Sequence, residues 1–177
     1  MKTDALFVLF IGLVLFGLTV SAHGEERTVS AMAPWEGDGE IFKVEPEKLL
    51  FVGSFDGVMY VSDGKGSLDA ALMVCPATQE INMKDKTTSG QGRCILTSLE
   101  GDKVYAQWSC TGKPGICMGD FKLNGGTGRF KGITGSGPMH IRTILMGIAA
   151  DMKGGGTVEN AHGLAIWPEL KFKIPPK

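Results

Sequence analysis

Residues 104–128 read VYAQWSCTGKPGICMGDFKLNGGTG, and this stretch decides the fold class. Val104 to Cys110 alternates apolar and polar side chains, the period of two that places neighbouring residues on opposite faces of a β-strand. Lys113-Pro114-Gly115 then forms a turn, and a second apolar run follows over Ile116 to Leu123. The stretch therefore predicts two antiparallel strands joined by a tight turn.

The same arrangement of short apolar runs and turn residues extends over the chain from Gly39 onward. Asp56-Gly57, Asp63-Gly64 and Asn124-Gly125 are dipeptides that favour tight turns. Of the 26 glycines, the 24 that remain when Gly12 and Gly17 are set aside lie singly or in short clusters between the runs. We predict an all-β fold, a small antiparallel up-and-down β-barrel of about eight strands, because closure hides the sheet edges and buries one face. A sandwich of two sheets is the alternative, since local patterning does not determine closure.

The beginning of the chain predicts export. Residues 1–22 have the pattern of a signal peptide, with Lys2, an apolar run from Ala5 to Val20, and small residues before a cleavage point that precedes His23. That run is shorter than the roughly 20 residues of a membrane-spanning helix, although an uncleaved anchor is the alternative. We expect residues 23–38 to be irregular and exposed, residues 39–177 to form the barrel, and the protein to be periplasmic or secreted, without a stable membrane span after cleavage.

Charge and composition narrow the range of partners. The formal net charge is −1, and the basic residues are scattered without a run. This charge gives no electrostatic reason to expect nucleic acid or an anionic membrane surface as a partner.

The four cysteines predict disulfide bonds. An even number of cysteines in an exported chain favours pairing, and zinc sites use a closer spacing than any here. Four cysteines allow three pairings. The turn at residues 113–115 favours Cys110 with Cys117, and the polar connection at residues 84–92 favours Cys75 with Cys94; free buried thiols are the alternative.

Residues 125–135, GGTGRFKGITG, resemble a segment of the allene oxide cyclase and dirigent superfamily of small β-barrels. That superfamily carries a similar Gly-Gly-x-Gly-x-Phe-x-Gly segment on a barrel hairpin, and the chain from Gly92 to Gly137 looks closest to its bacterial exported members. The glycines of the segment permit a turn and close approach of neighbouring backbone, while Phe130 provides an apolar anchor.

The resemblance implies a barrel that encloses a ligand. Plant members of the superfamily cyclise an unstable epoxide or guide radical coupling inside the barrel, mostly by positioning a reactive molecule. No active-site residue of those enzymes maps onto this sequence by a motif. Barrels of this superfamily often form dimers or trimers, so the resemblance also implies a homo-oligomer.

A few polar and aromatic residues are candidates for a ligand site. His140 and Arg142 share one face of a predicted strand, and together with His162 and Trp167 they could line one mouth of the barrel. Such a mouth would bind a carboxylate or another polar head group. The alternative is that these polar residues are solvated strand ends. Trp108 is either a core residue or a platform on which a ligand stacks.

Catalytic and cofactor motifs are missing from the sequence. It has no phosphate-binding loop ending in Gly-Lys-Ser/Thr, no Gly-x-Ser-x-Gly and no His-Glu-x-x-His, so we predict no cofactor and no metal. The leading hypothesis is an exported barrel that binds a small apolar or amphipathic molecule without catalysis. An isomerase or cyclase of the allene oxide cyclase type is the second hypothesis. A structural or interaction protein of the cell envelope, with residues 144–150 as its contact patch, is the third.

Overall fold

The computed structural model describes residues 24–144 and 156–176 of the chain. They form eight consecutive antiparallel strands that close into one barrel in the order of the sequence. The strands are β1 Glu25–Glu45, β2 Lys48–Val61, β3 Ala71–Asn82, β4 Thr87–Thr97, β5 Lys103–Lys113, β6 Ile116–Gly126, β7 Thr134–Ile144 and β8 Gly156–Ile174, with a 3-10 helix Gly128–Phe130 before β7. The predicted up-and-down barrel is therefore confirmed, and the sandwich alternative is wrong.

Closure of the barrel depends on the first strand. β1 pairs with β2 on one side and with β8 on the other, in a ladder that runs from Glu25 opposite Ile174 to Ile41 opposite Gly156. Residues 25–38 were expected to be irregular and exposed, and that expectation is wrong. Val29 and Trp35 are buried in the interior, because alternate residues of this segment face inward as in every other strand.

Strand β2 also differs from its expected form. Asp56-Gly57 was predicted to be a turn, but both residues continue the strand, with Gly57 opposite Trp35 on β1 and Met73 on β3. A side chain at Gly57 would meet the backbone carbonyl of Pro34, so glycine here allows two strands to approach closely.

Aromatic rings fill the interior by lying against glycines. Trp108 stands opposite Gly92 on the neighbouring strand, and Trp35 stands opposite Gly163. A Cβ at either glycine would contact the indole directly. The space that a side chain would take at each glycine is thus filled by a ring from the neighbouring strand. This arrangement allows large rings to pack inside a small barrel.

One end of the barrel is closed by side chains. Leu68 lies in the β2–β3 connection, and Phe130 and Ile133 lie in the β6–β7 connection; all three are buried at 2% exposure or less. Asp102 helps to hold the second connection in place, because its carboxylate accepts a hydrogen bond from the Arg129 backbone N–H at 3.0 Å. The interior is consequently plugged at this end.

Two disulfides join neighbouring strands. Cys75 on β3 is bonded to Cys94 on β4, and Cys110 on β5 is bonded to Cys117 on β6, so the favoured pairing is confirmed. No described cysteine is free. Disulfides are typical of proteins that reside in oxidising compartments.

Replacing Gly92 by alanine is expected to destabilise the barrel. The new Cβ would lie 2.6 Å from Trp108 Nε1 and 2.8 Å from the Pro76 carbonyl oxygen, so the ring or the backbone must shift. Overpacking of this kind costs about 1–3 kcal/mol of unfolding free energy, measurable by urea denaturation. Gly156→Ala is the matched control, because, apart from the glycine and its two chain neighbours, no described residue has an atom within 4 Å of a Cβ at that position; equal stability of the two variants would contradict this account.

Loss of the two disulfides is expected to have unequal effects. The Cys75–Cys94 bond closes a loop with a sequence separation of 19, and the Cys110–Cys117 bond one of 7. On chain entropy alone these loops are worth about 3.3 and about 2.5 kcal/mol. Paired Cys→Ala variants should follow this order in urea denaturation, and the reverse order would show that strain or packing outweighs loop entropy.

Candidate functional site

The interior retains a small cavity between the rings and the two disulfides. The volume that the centre of a water-sized molecule can occupy in this cavity is about 40 Å³. All four cysteines and all three tryptophans of the chain line it. The remaining lining residues are Phe55, Met73, Gln79, Phe121, Met139, Ile141, Thr143 and Ala165.

A second, smaller cavity adjoins the first on the side away from the plugged end. It has about 30 Å³ and shares Trp35, Phe55, Gln79 and Thr143 with the first cavity. Its other lining residues are Ile41, Phe51, Ile81 and Ala161. The rings of Trp35 and Phe55, whose centroids are 4.9 Å apart, lie where the two spaces meet.

Gln79 and Thr143 are the two hydrogen-bonding residues other than tryptophan that both described linings share, and the contacts of Gln79 fix its amide. Its Nε2 donates a hydrogen bond to Thr88 Oγ1 at 2.8 Å, and that hydroxyl donates to the Glu80 backbone oxygen at 2.9 Å. Thr88 is buried, so its hydroxyl is held by these two contacts. The amide of Gln79 therefore has a fixed orientation beside an otherwise apolar lining.

Charged groups are absent from the described lining. Neither cavity contacts a Lys, Arg, His, Asp or Glu side chain among the described residues. The shifted pKa values belong to surface ion pairs instead: a hydrogen bond from Arg129 lowers the pKa of Glu100, and one to Glu169 raises the pKa of Lys171. Within the described lining, a bound molecule would meet apolar surface and neutral hydrogen-bonding groups.

The predicted site residues divide between the two faces of the barrel wall. Trp108 and Trp167 are buried and line the cavity. His140 and Arg142 alternate with the inward-facing Met139 and Ile141, so they point outward from β7. The structure therefore does not bring the histidines and Arg142 together with the tryptophans.

His162 belongs to the outer face as well. It stands opposite Ile144 on β7 and Glu36 on β1, and its Nδ1 is 3.8 Å from Glu36 Oε1. Both side chains of this pair are substantially exposed. His140 and His162 do lie on neighbouring strands, as considered from the sequence, but on the outer wall and not at the cavity.

Several lining residues were not identified from the sequence. Met73 and Gln79 lie at even spacing from Cys75, so the parity of β3 alone would have placed both inside. Thr143 lies at even spacing from Met139 on β7 in the same way. The disulfide cysteines therefore mark the inward face of the strands that carry them.

The outer wall carries a larger and more open concavity. It has about 910 Å³ and lies over β2 to β6, with Gln91, Arg93, Gln107, Asp120 and Lys122 among the side chains around it. These polar side chains are exposed, in contrast to the enclosed lining of the interior.

Metal binding and membrane crossing by a helix are two further properties that bear on function. Within residues 24–144 and 156–176, no group of three or more His, Cys, Asp or Glu side chains is placed to hold a metal ion. None of the helices in the same ranges is long and apolar enough to cross a membrane.

Comparison of the chain with protein families, curated proteins and solved structures finds no match.

The Gln79–Thr88 pair is expected to show coupling in a double-mutant cycle. Thr88→Val leaves the Gln79 amide without its partner, which costs about 1–3 kcal/mol for a buried group and less for one partly exposed. Gln79→Met in the same chain removes the stranded group and should recover most of the loss. Urea denaturation of the four proteins measures the coupling, and additive effects would argue against a functional hydrogen bond.

Proposed function

We propose that this protein is an exported barrel that binds a small apolar or amphipathic molecule inside, in the cavity lined by its tryptophans and disulfides. The observation that carries the proposal is the mostly apolar lining inside the barrel, which includes a few neutral polar groups, Gln79 and Thr143 among them. Ligand sites typically combine a mostly apolar concave surface with a few positioned polar groups.

The size of the cavity limits the ligand. A water molecule needs about 10–15 Å³ by this measure, so 40 Å³ accommodates a few waters or a small organic group. Sites for drug-sized ligands are roughly 300–1,000 Å³. We infer a compact ligand, or one end of a longer molecule.

Two flexible side chains give the cavity room to adapt. Met73 and Met139 both line it, and an unbranched thioether side chain repacks more readily than a branched or aromatic one. A ligand larger than the empty space would be admitted by movement of these methionines, because the rings of Trp35 and Trp108 are held against glycines.

The predicted export of the chain supports the proposal that it is a binding protein that acts outside the cytoplasm. The predicted signal peptide, residues 1–22, lies outside the described residues, and the two disulfides suit an oxidising compartment. We therefore propose a periplasmic or secreted location.

The cyclase hypothesis receives less support from the lining. General acid–base catalysis uses side chains such as His, Glu, Asp or Lys within hydrogen-bonding reach of the reacting group. His140 and Arg142, the pair that would have favoured an enzyme, face away from the cavity. The resemblance of residues 125–135 to the allene oxide cyclase and dirigent superfamily remains a proposal about ancestry.

An interaction protein of the cell envelope is the second candidate. Ile116, Met118 and Ile144 are each more than half exposed on the outer wall of β6 and β7. Apolar side chains grouped on a surface often mark a site of protein contact. The remainder of the predicted patch, residues 145–150, lies outside the described residues.

Titration with small cyclic hydrocarbons tests the binding proposal. All three tryptophans line the cavity, so their fluorescence should change saturably when cyclopentane or benzene enters. Met73→Ala enlarges the space and should admit naphthalene, which we expect to be too large for the wild type even with its methionines moved. If none of these compounds produces a saturable change in either protein, interior binding is wrong.

Ala165→Leu provides the complementary test. Ala165 lines the cavity and is 5% exposed, so the larger side chain fills the space and should abolish the fluorescence response. Ser109→Leu on the outer wall of β5 is the control and should leave binding intact.

The interaction-protein hypothesis makes a different prediction. If the protein captures a partner, Ala165→Leu should leave that capture unchanged, and the double variant Ile116→Lys/Met118→Lys should abolish it.

A further inference from the structure

One residue that lines the cavity carries a buried hydrogen-bond donor without a partner among the described residues. Trp167 is 1% exposed, it lines the cavity, and its indole Nε1 has no hydrogen-bond partner among the described residues. Among the described residues, Ser98 Oγ is the other buried side-chain atom without a partner. It lies in the β4–β5 turn, outside the cavity lining. Trp167 is thus the unsatisfied polar group at the candidate site.

Packing holds the Trp167 ring in position. It meets Phe121 edge to face, with ring centroids 5.1 Å apart, and both side chains are almost fully buried. Buried tryptophan N–H groups usually find an acceptor, because an unpaired donor in an apolar interior is unfavourable. A rotation that would carry the indole N–H to solvent is opposed by this packing.

We propose that the Trp167 N–H donates a hydrogen bond to a neutral oxygen atom of the ligand, so that the ligand is a small uncharged alcohol, ketone or ether. This inference rests on the proposed interior binding. The acceptor is neutral because no cationic side chain contacts either cavity in the described part of the chain, and burying an unpaired carboxylate is strongly disfavoured. The ligand class therefore differs from the carboxylate that His140 and Arg142 suggested.

Water is the competing acceptor, and the lining suits it poorly. A buried water typically makes two to four hydrogen bonds. Apart from the indoles, the side chains of the described lining offer it only the Gln79 amide and the Thr143 hydroxyl, and the amide already donates to Thr88. An organic oxygen needs one donor, while its carbon atoms gain contact with Phe55, Met73 and Met139.

A matched pair of probes isolates this hydrogen bond. Cyclopentanone and cyclopentane have nearly the same shape, and only the ketone has an acceptor. The ratio of the two affinities should favour the ketone roughly five- to tenfold more in the wild type than in a variant without the donor, which is the net effect of one hydrogen bond. Comparison of the two proteins cancels the different transfer of the two probes from water. Trp167→Phe keeps an aromatic ring and removes the donor, so it should lose this preference while still binding cyclopentane. Ser109→Leu, on the outer wall of β5 and away from the cavity, should retain it.

A second measurement does not depend on a variant that folds. In the wild type, the indole ¹H–¹⁵N resonance of Trp167 should move downfield on titration with cyclopentanone and much less with cyclopentane. Equal ketone preference in the wild type and Trp167→Phe, or equal indole shifts with both probes, would overturn the inference while leaving interior binding intact. Failure of both probes to bind the wild type and Met73→Ala would overturn interior binding itself.

Discussion

The barrel depends on the match between aromatic rings and missing side chains. An eight-stranded barrel has an interior that side chains just fill, so a ring as large as an indole requires empty space on a neighbouring strand. Gly92 and Gly163 provide that space for Trp108 and Trp35. Phe55 similarly stands opposite Gly37. An eight-stranded barrel can close around these rings because each of these aromatic residues stands opposite a glycine on a neighbouring strand.

The candidate site is the space that this packing leaves. Rings fill the interior from several strands, and the disulfides of two adjacent hairpins line the same region. The result is an uncharged cavity in which one amide, one hydroxyl and the indoles are the available polar groups. Its chemistry is therefore recognition by shape and by single hydrogen bonds, because none of the described lining residues is ionisable once the cysteines are paired.

The strands and turns of the barrel could be predicted from the sequence better than the packing of its interior. Alternation and turn residues around Val104 to Cys110 were sufficient for fold class, and the hairpin at residues 113–115 was sufficient for one disulfide. Residues 25–38 were misjudged because Ala31 and Ala33 occupy inward positions, and alanine contributes little to an apolar pattern. The cavity could not be predicted, since its volume depends on ring orientations contributed by strands far apart in the chain.

The pairing of β1 with β8 gives the barrel a seam without a covalent link. Both disulfides join consecutive strands, so neither crosses the ladder from Glu25–Ile174 to Ile41–Gly156. A chain under synthesis would form its cross-linked hairpins early, yet β1 would keep an unpaired edge until β8 arrived. Contacts between such distant segments slow folding and leave edges open to aggregation. Chaperone protection during that interval would matter more for this protein than for one whose ends are not partners.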